Sequence, residues 1–483
     1  MKKYTPKRRL LCAGMALLLS AVALLSVSCG KKDEPIDTTV PTGDGYDPLS
    51  AMPSADFDRD FTILSANYCK GWSAVGVKYE DVAGDPIAET IYKRTLAFEE
   101  KYNTTVYTTG VDPASVYQGM YSVNMAGDPA YDLVLPHPTE GLATMMLNGW
   151  FSNLNEISSI DLSGEWYNQS QIENYMSNNK LYIATSDMIV TGQSFIALVY
   201  NRNLMETYSF EEDVQELVED KKWTMEKMNE MIAVTEFGGD NSDGSQTYGL
   251  AFNSASIGRW MYAMGESILI KSEDGTFEAG CNTTKMTDIA GKLNTLLNTH
   301  GATVVVSKAY STQLADSEIW KAFSGGKALF LTWDIGGCYN YLRDLEFDLG
   351  YAPLPMYDEK QSDYCINCAA GLFAIPAVTY DKNESGLAFE YLSRYSNVYL
   401  KTAFYERILG GRLSEYPEDY AMLDFLHTRK TWDFGYTLDE EADFLDCLIV
   451  PVVENHSPGG VSLHLAQKKT IMQKIVDAAN GID

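Results

Sequence analysis

Apolar positions along the chain follow two periods. Phe61-Thr62-Ile63-Leu64, Tyr131 to Pro136 and Phe195 to Tyr200 are short, almost continuously apolar or β-branched runs, which predict buried strands. Ile87 to Tyr102 (IAETIYKRTLAFEEKY) and the stretch around Val116 to Ala126 carry apolar residues at helical spacing, and Val106 to Thr108 predicts a strand between them. Strand and helix alternate through the remainder with Gly/Asp turns, the α/β pattern, and no repeat of fixed period interrupts it. The N-terminus differs: Leu10 to Val27 is a predominantly apolar run without charge, behind Lys2, Lys3, Lys7, Arg8 and Arg9 and ahead of Ser28-Cys29-Gly30. A basic segment, a short apolar run and a small-residue junction predict an export signal, residues 1–28. No later run approaches the ~20 apolar residues of a membrane span.

The cysteine at that junction resembles the lipidation site of a bacterial lipoprotein signal. The resemblance implies that Cys29 carries the lipid, including palmitate, as first residue of the mature chain. Ser26 departs from it, standing three before the cysteine where such signals favour Leu, with Leu25 one place further off. Residues 29–55, with Lys31-Lys32-Asp33-Glu34-Pro35 and Pro41-Thr42-Gly43-Asp44-Gly45, hold too few apolar residues for a core and predict a flexible tether. The folded part then runs from about Asp56 to the end, too long for one ordinary core and suited to two lobes.

Charge narrows the partners. The net charge is −29; without residues 1–28, which hold five positive charges and no negative ones, 32 Lys and Arg face 66 Asp and Glu, a charge of −34. Such a surface repels phosphate backbones and anionic lipid, so nucleic acid is excluded as a partner and neutral or cationic ligands stay open. The 31 Tyr and 8 Trp provide mostly packing, but flat rings with an apolar face and a polar edge also suit a sugar-binding cleft.

Outside Cys12 and Cys29 the cysteines are Cys69, Cys281, Cys338, Cys365, Cys368 and Cys447, an even count that permits disulfides without establishing them. Cys365-Ile366-Asn367-Cys368 has CxxC spacing. It precedes the apolar run Gly371 to Pro376 instead of opening a helix, and no second pair or nearby His completes a zinc set. Inert or structural thiols are the expectation, with redox and metal roles the alternatives.

An ordered set of motifs then points to one family. The helix end Glu99-Glu100-Lys101-Tyr102-Asn103, the run Tyr131-Asp132-Leu133-Val134 and Gly149 to Asn155 (GWFSNLN) are similar to the first lobe of extracellular solute-binding proteins of the sugar-transport (ABC importer) type. Leu198 to Leu204 (LVYNRNL) resembles that family's crossover between lobes. Trp223 to Met228 (WTMEKM) resembles a helix start, Trp320 to Phe330 (WKAFSGGKALF) a helix-to-strand segment, and Phe347 to Pro355 (FDLGYAPLP) a strand closed by prolines. The set extends from about residue 58 to 440. The residues themselves read compatibly: Thr224 is placed as an N-cap with Lys227 where a capping-box Glu would stand, and Gly325-Gly326 breaks a helix before a strand.

Enzyme signatures are missing from the sequence: no Walker A loop, HExxH, GxSxG or GxGxxG is present, and the five histidines show no metal-ligand spacing. Gly239-Asp240-Asn241-Ser242-Asp243-Gly244 fails as a calcium loop. With Gly244 at the sixth position, Gly239 and Leu250 occupy positions that need acidic ligands, so it is expected to be an Asx-built turn.

The resemblance implies an α/β, two-lobe periplasmic-binding-protein-like (Venus flytrap) fold with crossover hinge strands near Phe195 to Tyr200 and Gly371 to Pro376. Lobe I is expected over 56–199 plus 368–430 and lobe II over 200–367 plus 431–483. The implied role is a lipid-anchored solute-binding protein of an ABC importer, on the extracytoplasmic face of the membrane, monomeric, without cofactor or metal. It would capture a carbohydrate, an oligosaccharide by expectation, for permease subunits in the membrane. A secreted carbohydrate-active hydrolase, a receptor for a peptide or polyamine, and an adhesion module are the competing classes.

Contact residues are expected in loops at the C-terminal ends of strands, where open α/β sheets place their clefts. Asn67, Tyr68 and Trp72 follow the first strand, His137 follows the third, and Gln193 precedes the crossover. Trp260 lies beyond Asn253, Trp333 and Asp334 end an apolar run, and Tyr364 precedes the return crossover. Carried over position by position, the family's site gives Trp260, Trp333 and Asp334 the strongest claim.

Overall fold

Phe61 to Ala66 is a strand because every residue but Thr62 is buried, which suits an apolar, β-branched run covered on both faces. It is the centre of a three-stranded parallel sheet: β1 (Phe61–Ala66), β2 (Val106–Val111) and β3 (Leu133–Leu135), in the order β2-β1-β3. A computed structural model describes the chain at residues 49–66, 86–138, 140–192, 195–235, 247–298, 303–306, 317–334, 342, 345–368, 371–407, 416–439, 444 and 446–481. Cys29, Asn67, Tyr68, Cys69, Trp72, Gln193, Cys338 and the 239–244 turn lie outside these residues.

The helix Pro86–Tyr102 buries Ile87, Ile91, Phe98 and Tyr102 on its apolar face. Phe98 meets Phe61 edge-on at 5.5 Å, and Phe57 stacks on Tyr102 at 5.1 Å. β2 is an edge strand with only Val106 fully buried. β3 is shorter than the apolar run suggests, because Asp132 is a structural anchor: one carboxylate oxygen accepts from the Thr62 amide at 2.9 Å and the other pairs with Arg59 at 2.8 Å.

The chain continues through β4 (Ile196–Asn201), β5 (Tyr248–Asn253), the hairpin β6 (Leu269–Lys271) and β7 (Phe277–Ala279), β8 (Thr303–Val306), β9 (Ala328–Asp334) and β10 (Leu349–Ala352). The second sheet has the order β10-β4-β9-β5-β8: β4 runs antiparallel to both β9 and β10, while β5, β8 and β9 are parallel. Gly350 is required here. A Cβ at this position would lie 2.1 Å from the Tyr200 ring, which covers the strand on its partner side.

Local chemistry sets the ends. Thr224 caps the helix Met225–Thr235, its hydroxyl accepting from the Lys227 amide at 3.3 Å, and the Lys227 side chain turns away to pair with Glu212. The helix Glu318–Ser324 closes at Gly325-Gly326, Gly326 standing at φ 69°, and β9 begins two residues later.

Three passages link the surroundings of the two sheets. Phe195 leads into β4. Cys368 forms an antiparallel bridge to Phe195, after which Phe373 bridges Ala184 and Ala374 bridges Val134 beside the first sheet. The third passage is β12 (Lys430–Thr431), parallel to β11 (Ile366–Asn367). From there the helix Phe434–Leu438 and the C-terminal helix Val461–Asn480 pack on the second-sheet side, where Phe434 meets Phe277 at 5.6 Å.

Candidate functional site

Parallel strands collect their C-terminal ends on one edge of each sheet. The first sheet carries β1 and β3 to Ala66 and Leu135; the second carries β5, β8 and β9 to Asn253, Val306 and Asp334. Open α/β sheets form ligand crevices beyond such ends, since loops diverge there and backbone polar groups face outward.

His137 stands two residues past β3 and is half-buried. Loss of solvent pushes its imidazole down to about 4, so it is neutral at physiological pH. A neutral imidazole can donate at one nitrogen and accept at the other, which suits a hydroxyl better than an ion. Asp334 ends β9 opposite Ile196 and is described at the backbone only.

The two tryptophans lie deeper than the sequence suggests. Trp260 is 0% exposed on the helix Ile257–Ala263 and packs against Phe252 at 5.7 Å; Trp333 is 2% exposed within β9. Neither ring has a solvent-facing side. Trp260 follows β5 by a helical turn that folds its side chain back under the sheet, so its burial favours a core role over a stacking platform. Tyr364 is also interior, edge-on to Phe425 at 5.9 Å, and burial raises its phenol pKa.

A cavity of about 810 Å³ lies apart from the strand ends, beside the β11 and β12 passages. One wall is the helix Gln169–Tyr175, on the first-sheet side; the facing wall is the β6–β7 hairpin with Tyr262 and Glu266. Asn367, Thr431, Trp432, Asp433 and Phe434 form the floor. The hairpin is tied across to the helix end, Lys271 Nζ donating to the Glu173 carbonyl at 2.9 Å and the Met176 carbonyl at 2.6 Å.

Asp433 organises this floor. Its carboxylate accepts from the amides of Ile268 at 2.6 Å, Leu269 at 3.3 Å and Gly435 at 2.8 Å. Full burial nevertheless pushes its pKa up to about 6, against the pull of those donors and of the nearby Tyr262 hydroxyl. Glu266 accepts from the Asn282 amide at 2.7 Å and pairs with Lys285 at 3.2 Å. Arg259 lies over the Tyr436 ring at 4.3 Å and donates to the Asn367 side chain. Trp432 is 3% exposed, and its indole N–H has no partner among the described residues.

Cys281 and Cys365 form no disulfide among the described residues. Burial raises the Cys281 and Cys365 pKa values, which disfavours the thiolate and fits inert behaviour. Among the described residues no group of three or more His, Cys, Asp or Glu could hold a metal ion, and no helix is long and apolar enough to cross a membrane.

None of the cavity residues was singled out by the sequence except Cys365. Its CxxC spacing drew attention for a different reason; Cys365, just before β11, and Asn367, within it, both line the cavity.

Comparison with known proteins gives the fold a family likeness. No family model matches the chain, and no curated protein sequence matches it. Among solved structures, the GacH receptor of Streptomyces glaucescens, known unliganded and in complex with acarbose, is similar with a TM-score of 0.57 at 12% identity, over 86% of this chain and 99% of that one. UgpB of Mycobacterium tuberculosis in complex with glycerophosphocholine gives 0.57 at 14% identity, over 86% and 98%. The maltose/maltodextrin-binding domain MalE of Bdellovibrio bacteriovorus bound to maltotriose gives 0.54 at 15% identity, over 86% and 100%. The likeness is one of fold: the chain has the two-lobe architecture of the ABC-importer solute-binding proteins.

Proposed function

We propose that this chain is the solute receptor of an ABC importer, lipid-anchored through Cys29 and capturing a carbohydrate between two lobes, 56–199 plus 368–430 and 200–367 plus 431–483. The carrying observation is the set of three neighbouring passages at Phe195, Cys368 and Lys430, between sheets whose parallel strands each end on one edge. Short extended links of this kind can absorb a change of lobe angle by backbone rotation alone. A ligand that touches both lobes only when they approach stabilises the closed arrangement by its differential affinity.

The ligand class rests on two supports. Two of the similar folds are described with acarbose or maltotriose, both rich in hydroxyl groups, and one with glycerophosphocholine, a zwitterion whose glycerol end carries hydroxyls. In this chain His137 offers a neutral donor and acceptor at a strand end, and the mature charge of −34 works against anions. Asp334 supplies a further hydroxyl acceptor in this reading, and permease subunits in the same membrane receive the solute.

The test is thermal unfolding of the full chain against mono- and oligosaccharides, glycerophosphocholine, polyamines and peptides. Binding to the native state alone raises the unfolding temperature. A rise with oligosaccharides supports the reading; a rise confined to peptides or polyamines replaces the carbohydrate. Hydrolysis of an oligosaccharide during the assay would instead make the chain an enzyme.

A further inference from the structure

We propose that Asp187 and Lys401 form a solute contact of the first lobe beside the passages, and that they select two neighbouring hydroxyl groups on one sugar ring. The inference rests on the receptor reading and adds residues that read the ligand.

Position comes from the sheet. Phe373 lies antiparallel to Ala184 and Ala374 antiparallel to Val134, so residues 182–186 run parallel to β3. Asp187 therefore follows at the edge where Leu135 and His137 stand. Its partners come from the helix Lys382–Tyr395, which continues through a wider π-type turn, Ser396–Leu400, into the helix Lys401–Arg407. The Asn397 amide donates to Asp187 Oδ2 at 2.7 Å, and Lys401 Nζ lies 3.7 Å from the same oxygen. Burial raises the Asp187 pKa, while Lys401, Asn397 and Lys430 of the third passage draw it back down. Lys401 also acts electrostatically on His427, the ring that meets Phe195 edge-on, so the cluster borders the links between the lobes.

Two groups are left open. Asp187 Oδ1 has no hydrogen-bond partner among the described residues, and its side chain keeps 13% exposure; Lys401 keeps 40%. An ionised carboxylate only accepts and an ammonium only donates, so an acceptor stands beside a donor. Neighbouring ring hydroxyls fill that pattern: one donates to Asp187 while the oxygen of the next accepts from Lys401. A carboxylate or phosphate drawn to Lys401 would meet Asp187, and an ammonium drawn to Asp187 would meet Lys401 and Lys430. An apolar ligand would strip water from both ions without replacing its hydrogen bonds. The contact is also held in place. Arg94 Nη1 donates to the Met188 carbonyl and to the Ser396 hydroxyl, at 2.8 Å each, which fixes the residue after Asp187 and the one before Asn397. Little ordering is left for the ligand to impose.

Titration calorimetry of the full chain in detergent micelles with maltotriose, raffinose and cellobiose tests this, run beside Asp187→Asn and Lys401→Gln. The expected result is that a saccharide bound by the wild type binds each variant about tenfold more weakly or worse, the scale of a hydrogen bond to a charged group. Lys401→Gln, a change at a partly exposed side chain, should keep the unfolding temperature, so its lost affinity reports the contact and not the fold. A saccharide that binds Lys401→Gln as tightly as the wild type would overturn the proposal and leave the receptor reading standing. So would a lowered unfolding temperature of Asp187→Asn with affinity intact, which would make Asp187 an anchor of the passages only. No saccharide bound by the wild type would overturn the carbohydrate class, and the hydroxyl pair with it.

Discussion

Phe195 and Cys368 face each other in an antiparallel bridge, so the first and second passages between the lobes run side by side. The Phe195 ring also meets His427 edge-on at 5.0 Å, three residues before the third passage opens at Lys430. A rigid rotation of the two lobes would concentrate its bending in this one small region.

The N-terminal junction carries the first prediction. Cys29→Ser should abolish acylation and release or mislocalise the protein, because the thiol is the only group at the Ser28-Cys29-Gly30 junction that can take the thioether-linked lipid. Metabolic labelling with a fatty-acid analogue checks it; label persisting on the variant would refute lipidation at Cys29.

Trp260 and Trp333 give the second. Their burial predicts that Trp→Ala at either position costs about 3–5 kcal/mol of unfolding free energy, the usual range for emptying a core site. Solute affinity should change less than about fivefold. A stacking platform predicts the reverse, a loss of about 1–3 kcal/mol in binding with stability retained. Denaturant unfolding and calorimetric titration on each variant separate the two.

His137 makes stability depend on pH with a definite sign. Its folded-state pKa of about 4 lies below the ordinary histidine value, so the unfolded chain binds the extra proton first as pH falls. Its contribution is full above roughly pH 6.5 and is lost as pH falls toward 4, on the order of 2–3 kcal/mol. Asp433, raised to about 6, acts oppositely and favours the fold as pH drops from 6 toward 4. The difference between wild-type and His137→Gln unfolding curves isolates the histidine: the variant should lose less stability between pH 7 and 5. Parallel curves would show that His137 titrates normally in the folded chain.

Much of the fold was legible in the sequence because its signals are local. The apolar run at β1, the periodic helix ending at Tyr102, the Thr224 cap and the Gly325-Gly326 break each depend on a few neighbouring residues, and each stands where its pattern predicts. Site residues are not local in this sense. A tryptophan after a strand reads the same whether its ring turns outward to a ligand or back under the sheet, and Trp260 turns back because a helix intervenes. The cavity was illegible for a related reason: Tyr262, Asn367 and Trp432 line it together only once the three passages have been assembled, and no spacing rule connects them.

Lobe closure on a bound sugar is the central claim, and small-angle scattering measures it most directly. The full chain in detergent micelles masked by contrast matching, saturated with an oligosaccharide identified by thermal shift, should have a smaller radius of gyration than the same sample without it. An unchanged radius with binding confirmed by calorimetry would contradict closure and make the site a rigid pocket.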